Sequence, residues 1–427
     1  MNAQDTDHLG RPLVAITGIG LSTSIGRDVP SSWDALTSGV SGVRPITRFP
    51  VDHLRTRIAG LMDDLRQDDD TVVDLTLRAG LAAAREAVAG SGLGETGDFP
   101  GPLFAALPPN EMEWPARRRL YDAGPAIDDP NGYRRLVESA RVANDPAASQ
   151  RTLLGFVAEH LADALGTRGA PISLTTACAS GTSAIQLAVE AIRRGDTDAA
   201  ISLGADCSVT AEAMVRFALL SALTSSNDDP QAASRPFSKD RDGFVIAEGA
   251  AALVLENYAA AKARGAPVLA IVRGVAEKAD NFHRTRSSPD GGAIVGVIDG
   301  AIRDAGLEPV DIDYVNAHGT STPENDRMEA RSLATVFGDA LKTTPISSNK
   351  SMIGHTLTAA GAIEAVFSVK TIQDGVLPPT INYRVPDPDI ELDVVPNEAR
   401  KASVSTVLSN SFGFGGQNAC LVLSAPV

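Results

Sequence analysis

The sequence predicts an α/β fold, and three observations carry that prediction. Residues 171–177 (PISLTTA), the stretch from Ala179 to Gly195, and 199–205 (AAISLGA) read as strand, helix and strand. Such a unit of about 35 residues requires parallel pairing. The same alternation returns in the C-terminal part. Finally, aromatic residues make up only 4% of the 427, while Gly (38) and Pro (26) are plentiful. That mixture suits short strands, Ala-rich helices and tight turns. At ~100–200 residues per domain, the length allows two or three domains or one large fused core.

The elements follow in order. PLVAITGIG at 12–20 reads as a buried strand entering a glycine-rich turn. Gly18 and Gly20 suggest a dinucleotide site, but the next glycine is Gly26. The GxGxxG spacing fails, and a tight turn is the simpler reading. Residues 72–90 carry a helical apolar pattern ending at glycine. From 96 to 150 the chain reads as irregular, an insertion or cap over a core, and a helix is expected at about 152–166. In the central unit Ile185, Ala188, Val189 and Ile192 fall on one helical face, which Arg193, Arg194 and Gly195 close. Further strands are expected at 268–274, 312–317, 345–348, 404–409 and 419–424, and helices at 293–306, 324–339 and 357–374. Two α/β halves meeting near 260–267 fit this rhythm.

Charge and cysteine content narrow the function. Lys and Arg number 38 against 53 Asp and Glu, a net charge of −15, which disfavours nucleic acid and anionic membranes as partners. Three scattered cysteines do not make a disulfide framework. The N-terminal residues show no secretory pattern, and no apolar run approaches the ~18 residues of a spanning helix. A cytoplasmic protein without an integral membrane segment is expected.

Cys178 falls where a strand ends and a helix begins, followed by the small Ser180, Gly181 and Thr182. There the positive helix end favours a thiolate, and the thiol pKa is expected well below ~8.5. Position alone leaves a reactive nucleophile and a buried structural cysteine equally open. Cys207 and Cys420 lack this placement and read as packing residues. Among six histidines, His318 and His355 each follow a predicted strand and lie among Gly, Ser and Thr, whereas His283 belongs to a polar loop. Residues just beyond strand ends converge on the ligand crevice of an open α/β sheet, and Cys178, His318, Lys350 and His355 all occupy such positions. A metal is not expected, since no two ligands are close in sequence. Ser411–Gln417 (SFGFGGQ) reads either as a glycine-rich hairpin or as a loop bringing a backbone N–H to an oxyanion, with Phe414 over an apolar channel.

Taken together, these segments resemble a known family. Thr176-Ala-Cys178-Ala-Ser-Gly181, Ser234–Phe244 (SRPFSKDRDGF), Asn316-Ala-His-Gly-Thr-Ser-Thr322, Lys350-Ser-Met-Ile-Gly-His355, Asn410-Ser-Phe-Gly-Phe-Gly-Gly416 and the opening Thr17-Gly-Ile-Gly20 are similar to the β-ketoacyl-acyl-carrier-protein synthases. The likeness is to the elongating type I/II group, most of all synthase II, within the thiolase-like superfamily. It spans nearly the whole chain and is weakest from 50 to 165.

The resemblance implies a five-layered αβαβα core of two similar halves, 1–265 (with a cap at about 45–165) and 266–427, and a homodimer. It also implies an acyltransferase of fatty acid biosynthesis with a Cys-His-His site. Cys178 would take an acyl chain from an acyl carrier protein, and its N–H and that of Phe414 would form the oxyanion hole. His318 and His355 would hold the malonyl thioester carbonyl as carbon dioxide leaves, giving a 3-oxoacyl carrier protein. Lys350 and Glu364 match a supporting polar pair, and Thr320 and Thr322 match positions that bind the phosphopantetheine arm. That arm would arrive on the carrier protein, so no enzyme-bound cofactor is implied.

Three departures stand out. Ser238 follows Phe237 where an aspartate is usual, which is expected to loosen the turn. Gln417 replaces a common threonine. The basic patches that dock an acidic carrier are missing at 62–70 and 220–229. Arg117, Arg118 and Arg119, with Arg134 and Arg135, remain as docking candidates beside the plain reading of a solvated face. A specialised carrier or an unusually long acyl chain would account for that surface. A polyketide ketosynthase shares these motifs. A chain-length factor would lack Cys178, a CoA-dependent thiolase would use a second cysteine in a C-terminal glycine-rich motif, a role that Cys420 in its strand-like segment does not suit, and the initiating branch would carry Asn in place of His355.

Overall fold

The computed structural model describes residues 5–68, 70–129 and 132–427. The chain begins with β1 (Val14–Thr23), α1 (Val29–Thr37), a small ribbon of β2 (Val43–Pro45) and β3 (Ile58–Gly60), α2 (Val72–Ser91) and β4 (Leu103–Ala106). Helices α3 (Trp114–Ala123), α4 (Tyr133–Ala143), α5 (Pro146–Arg151) and α6 (Phe156–Leu165) lead to β5 (Ile172–Leu174), α7 (Ser180–Arg194) and β6 (Ala199–Asp206). Next come α8 (Ala211–Leu219), β7 (Gly249–Asn257) and α9 (Tyr258–Ala263). The C-terminal part holds β8 (Ala270–Ala279), α10 (Gly292–Asp304), β9 (Tyr314–Asn316), α11 (Pro323–Phe337), β10 (Pro345–Ser347), α12 (Lys350–Ile353) and α13 (Ala360–Asp374). It closes with β11 (Val376–Leu377), β12 (Asp393–Val394), β13 (Arg400–Lys401), β14 (Thr406–Phe412) and β15 (Gln417–Ser424).

The long strands form one continuous run, β12-β10-β9-β14-β15-β8-β1-β7-β6-β4-β5. From β1 outward, the pairings to β7 and β6 are antiparallel and those to β4 and β5 parallel. From β8 outward, β15, β14, β9 and β10 repeat that pattern. The α/β expectation holds, and the two halves share a topology although no sequence repeat is visible. Helices α7 and α13 pack on each other and on strands of both halves, α2 with α6 covers one outer face, and α10 with α11 the other. The order of layers is therefore αβαβα.

Burial explains the central pair. α13 is enclosed almost all round, with every residue from Ala360 to Val369 buried, as an apolar helix between two sheets must be. α7 buries Ile185, Ala188, Val189 and Ile192, and Gly195 ends it with φ +77°, the left-handed conformation glycine adopts at least cost.

Several elements depart from the sequence reading. The segment PLVAITGIG does not enter a turn at Gly18–Gly20, because β1 continues to Thr23. Its glycines serve packing: a Cβ on Gly18 or Gly20 would lie 2.0 or 1.9 Å from the Ala87 or Ala83 carbonyl oxygen of α2. The stretch 96–150 is not irregular throughout. It contains β4, a fully buried strand whose four residues between prolines are too few to show a period. It also holds three helices that bury almost nothing. Both α2 and β4, inside the expected cap, belong to the core layers. Strand β7 was missed because AAALVLE suits a helix equally well. The strands β5 and β6 are parallel as expected but do not touch, since β4 lies between them. Nor is the turn at Phe237 loosened. The Ser238 hydroxyl donates to Asp240 Oδ1 at 2.6 Å and to the Val385 carbonyl at 3.2 Å.

Gly20→Ala is expected to push α2 off β1 and destabilise the fold by ~1–3 kcal/mol. A lowered denaturant midpoint with an unchanged slope would show it, and an unchanged midpoint would refute the packing role.

Candidate active site

Cys178, His318, Lys350 and His355 all lie just beyond the C-terminal ends of β5, β9 and β10, and the fold brings them together. Ala177, immediately before Cys178, has φ +50°, a conformation that costs an alanine energy and presents the next side chain sharply. Thr176 fixes this elbow: its N–H donates to Ser180 Oγ at 2.7 Å, and its hydroxyl meets Ser183 Oγ at 3.1 Å. The Cys178 sulfur faces its own N–H and that of Phe414. Phe414 sits at the tip of the β14–β15 hairpin, where Gly415 and Gly416 take φ +93° and +85°. The glycine-rich segment is therefore both a hairpin and a loop over the sulfur.

Hydrogen bonds assign the tautomers of both histidines. The Leu357 N–H donates to His355 Nδ1 at 3.3 Å, leaving the proton on Nε2, which lies 3.1 Å from Cys178 Sγ. Lys350 Nζ lies 3.4 Å from His318 Nδ1, which likewise leaves His318 Nε2 as the protonated nitrogen. The two imidazoles stand edge to face with centroids 5.4 Å apart, between the rings of Phe412 and Phe244. Lys350 is ion-paired and hydrogen-bonded to Glu364, both only 1% exposed. Thr320 and Thr322 are joined through their hydroxyls at 2.9 Å.

Burial governs the electrostatics. It drives the pKa values of His318 and His355 well below the usual imidazole range, and the Lys350 ammonium adds to both shifts. Both rings are therefore neutral donors at neutral pH. Burial also raises the Glu364 carboxyl, against the pull of Lys350. Cys178 runs contrary to the sequence expectation of a lowered pKa. Burial pushes its thiol up to about 11, although the Phe414 N–H and Lys350 oppose the rise. The helix end favours the thiolate less than a dry site disfavours it.

The donor atoms of Cys178, His318 and His355 lie within 4.8 Å of one another, so distant sequence positions had concealed a set that a soft ion could touch. Two features disfavour a metal there. An ammonium stands beside His318 Nδ1, and the thiol resists ionisation.

Sequence reasoning missed Glu329 and Asp206. Glu329, fully buried on α11, accepts the His318 and Gly319 N–H groups at 2.9 and 2.8 Å and Asn410 Nδ2 at 3.0 Å. Asp206 holds the Thr358 N–H and hydroxyl at 3.1 and 2.7 Å. Neither carries a local motif, and only the fold reveals the loops they brace.

Two cavities meet at Cys178. A cleft is lined by His318, His355, Thr320 and Thr322, and its rim carries His283, Arg284 and Arg286. A chamber lies beyond, with Phe217, Leu357 and Phe414 at the junction. The sequence-predicted Arg117, Arg118 and Arg119 stand on α3 and do not line that cleft. Arg117 pairs with Glu111 at 3.6 Å, and Arg118 with Asp122 at 2.8 Å. Among the described residues, no helix is long and apolar enough to cross a membrane.

Comparison with known proteins accords with this geometry. The family model described as "Beta-ketoacyl synthase, N-terminal domain" matches residues 12–261, and that described as "Beta-ketoacyl synthase, C-terminal domain" matches 269–384. The chain belongs to the β-ketoacyl synthase family. It is 39% identical over 420 residues to the 3-oxoacyl-[acyl-carrier-protein] synthase 2 of Coxiella burnetii, covering 96% of this chain and 98% of that one. Among solved structures, a β-ketoacyl synthase from Burkholderia phymatum superposes with a TM-score of 0.81 at 31% identity, covering 96% of this chain and 99% of that one. A type II PKS ketosynthase in complex with its acyl-carrier protein gives a TM-score of 0.80 at 30% identity, covering 97% and 100%. These likenesses make the αβαβα core thiolase-like.

With its thiol pKa raised to about 11, Cys178 holds roughly a hundredth of its thiolate at pH 9. Its alkylation by iodoacetamide, read by peptide mass, should therefore still rise about tenfold per pH unit up to pH 10. A plateau below pH 9 would contradict the burial effect.

Proposed function

We propose that this chain catalyses decarboxylative condensation of malonyl-acyl-carrier protein with an acyl group carried on Cys178, giving 3-oxoacyl-acyl-carrier protein in fatty acid elongation. The observation that carries this reading is the approach of His355 Nε2 to Cys178 Sγ, with His318 beside it in one dry cleft. In the first half-reaction Sγ attacks the acyl thioester carbonyl, and the oxyanion is held by the N–H groups of Cys178 and Phe414. The carrier's thiolate leaves and takes the proton that Cys178 gives up. Malonyl-carrier protein then places its thioester oxygen between the Nε2–H groups of His318 and His355. The carboxylate carbon–carbon bond breaks, carbon dioxide departs, and its electrons form an enolate held by those donors. Neutral imidazoles donate hydrogen bonds without protonating the carbanion, which attacks the acyl-Cys178 carbonyl and expels Sγ as a thiolate, and the thiolate takes up one proton from solvent to restore the thiol.

Thr320 and Thr322, in the cleft wall, suit the phosphopantetheine arm brought by the carrier protein. Lys350 and Glu364 keep His318 oriented and neutral. For docking the acidic carrier, the exposed Arg284 and Arg286 at the cleft rim are better placed than Arg117, Arg118 and Arg119. The type II PKS ketosynthase seen in complex with its acyl-carrier protein supports a carrier partner. The free edge of β5, with Ile172 exposed, suits antiparallel pairing with a second copy in a homodimer. The halves 1–265 and 266–427 and a cytoplasmic location complete the reading. A polyketide ketosynthase would use the same groups, whereas a chain-length factor would have no use for Cys178.

Mixed with acyl- and malonyl-carrier protein, the protein should give one product longer by a single two-carbon unit, and Cys178→Ala none. Repeated extension would favour the polyketide reading. His318→Ala should still accept the acyl group on Cys178 but condense ~10²–10³-fold more slowly. Arg284→Glu with Arg286→Glu should raise the KM for carrier protein about tenfold, the equivalent of ~1.4 kcal/mol, and leave kcat unchanged. An unaltered KM would remove these arginines from docking.

A further inference from the structure

The chamber beyond Cys178 is walled mainly by apolar groups, with a few charged side chains set among them. At its junction with the cleft stand Phe217, Leu357 and Phe414, an apolar collar around the sulfur. The residues that line the chamber alone include Glu111, Glu113, Glu212 and Arg216.

These groups are not equivalent. Arg216 Nη2 donates to both oxygens of Glu111 at 2.8 and 2.7 Å, so that pair is satisfied. Glu113 Oε1 accepts the Val72 N–H at 2.7 Å at the start of α2, and Glu212 Oε1 accepts the Trp114 N–H at the start of α3. Among the described residues, Oε2 of Glu113 and Oε2 of Glu212 take no hydrogen bond. Glu113 is half-buried. Burial raises its carboxyl pKa, the Val72 N–H opposes the rise, and Glu212 adds to it, so these two carboxylates are close enough to feel each other.

An alkyl chain entering this space would strip water from two carboxylate oxygens and offer nothing in return, which cancels the gain from burying several methylenes. A chain carrying a donor would replace the lost water. We propose that the chamber selects acyl chains with hydroxyl or amino groups on their distal carbons, and that Glu113 and Glu212 are the residues that select them. This rests on the condensing-enzyme reading above, because it takes the chamber as the place where the Cys178-bound chain lies. The enzyme's specialisation is then one of chain polarity rather than length.

The test is single-turnover acylation of Cys178, followed by intact-protein mass. The full-length enzyme is mixed with acyl-carrier proteins bearing matched plain, ω-hydroxy and ω-amino chains from butanoyl to dodecanoyl. At one or more lengths the donor-bearing chain should react at least about tenfold faster than its plain counterpart. Glu113→Gln and Glu212→Gln keep an oxygen for the Val72 and Trp114 N–H groups but replace the free acceptor with a donor. In these variants, shown to be folded by thermal melting, the preference should fall below about twofold. Plain chains reacting as fast as donor-bearing ones at every length would overturn the proposal, as would a preference that survives both substitutions. If Cys178 accepts no chain from any carrier protein, the condensing-enzyme reading fails and the proposal fails with it.

Discussion

The architecture depends on one close crossing, that of α7 with α13 at the centre of the five layers. A Cβ on Gly181 would lie 2.4 Å from the Ala362 amide nitrogen, and one on Gly361 would lie 2.2 Å from Thr182 Oγ1. Only glycine at these points allows the two helices to meet backbone to backbone, and both sheets close over the pair. Because Cys178 lies just ahead of Ala179, the N-cap of α7, and Glu364 lies near the start of α13, the crossing also sets the distance between the Cys178 sulfur and the buried ion pair. Thr182 extends the link to β14 through Ser411 Oγ at 2.9 Å, just ahead of the loop that carries Phe414. Packing at this density transmits any displacement rather than absorbing it.

Charge is used sparingly around the sulfur. One buried ammonium, Lys350, is balanced by Glu364 and stands behind His318 rather than in front of it. Together with burial it holds the imidazole neutral, and it leaves Nε2 as the protonated nitrogen. His355 takes the same tautomer through the Leu357 amide, and burial keeps it neutral. The site is thus built from fixed donors, the two Nε2–H groups and two backbone N–H groups, with Glu329 clamping the backbone of His318 from behind. Such dipoles need no rearrangement as negative charge develops, which suits a reaction passing through a carbanion.

The parts of the fold legible in the sequence were those with strong periods or sharp punctuation. α7 declared itself through Ile185, Val189 and Ile192 and the terminal Gly195, and the strand-end positions of Cys178, His318 and His355 placed the site. β4 and β7 were not legible, for opposite reasons: LFAA is too short to show a period, and AAALVLE fits a helix as well as a strand. The histidine tautomers were beyond sequence reasoning because each is set by a partner from another loop or helix. The thiol pKa was misjudged for a related reason. A helix end can be read from local sequence, whereas dryness is a property of the whole surrounding shell.

β5 is short, forms the outer edge of the run of strands, and delivers the chain to Cys178 within four residues of its end. Ile172 and the neighbouring Leu153 and Leu154 are exposed beside that edge. That edge therefore offers unpaired backbone groups and apolar side chains to whatever strand it meets. The strand that leads the chain to Cys178 is thus also the open edge of the sheet. A change at β5 therefore acts at once on how Cys178 is presented and on how readily the exposed edge pairs with another strand.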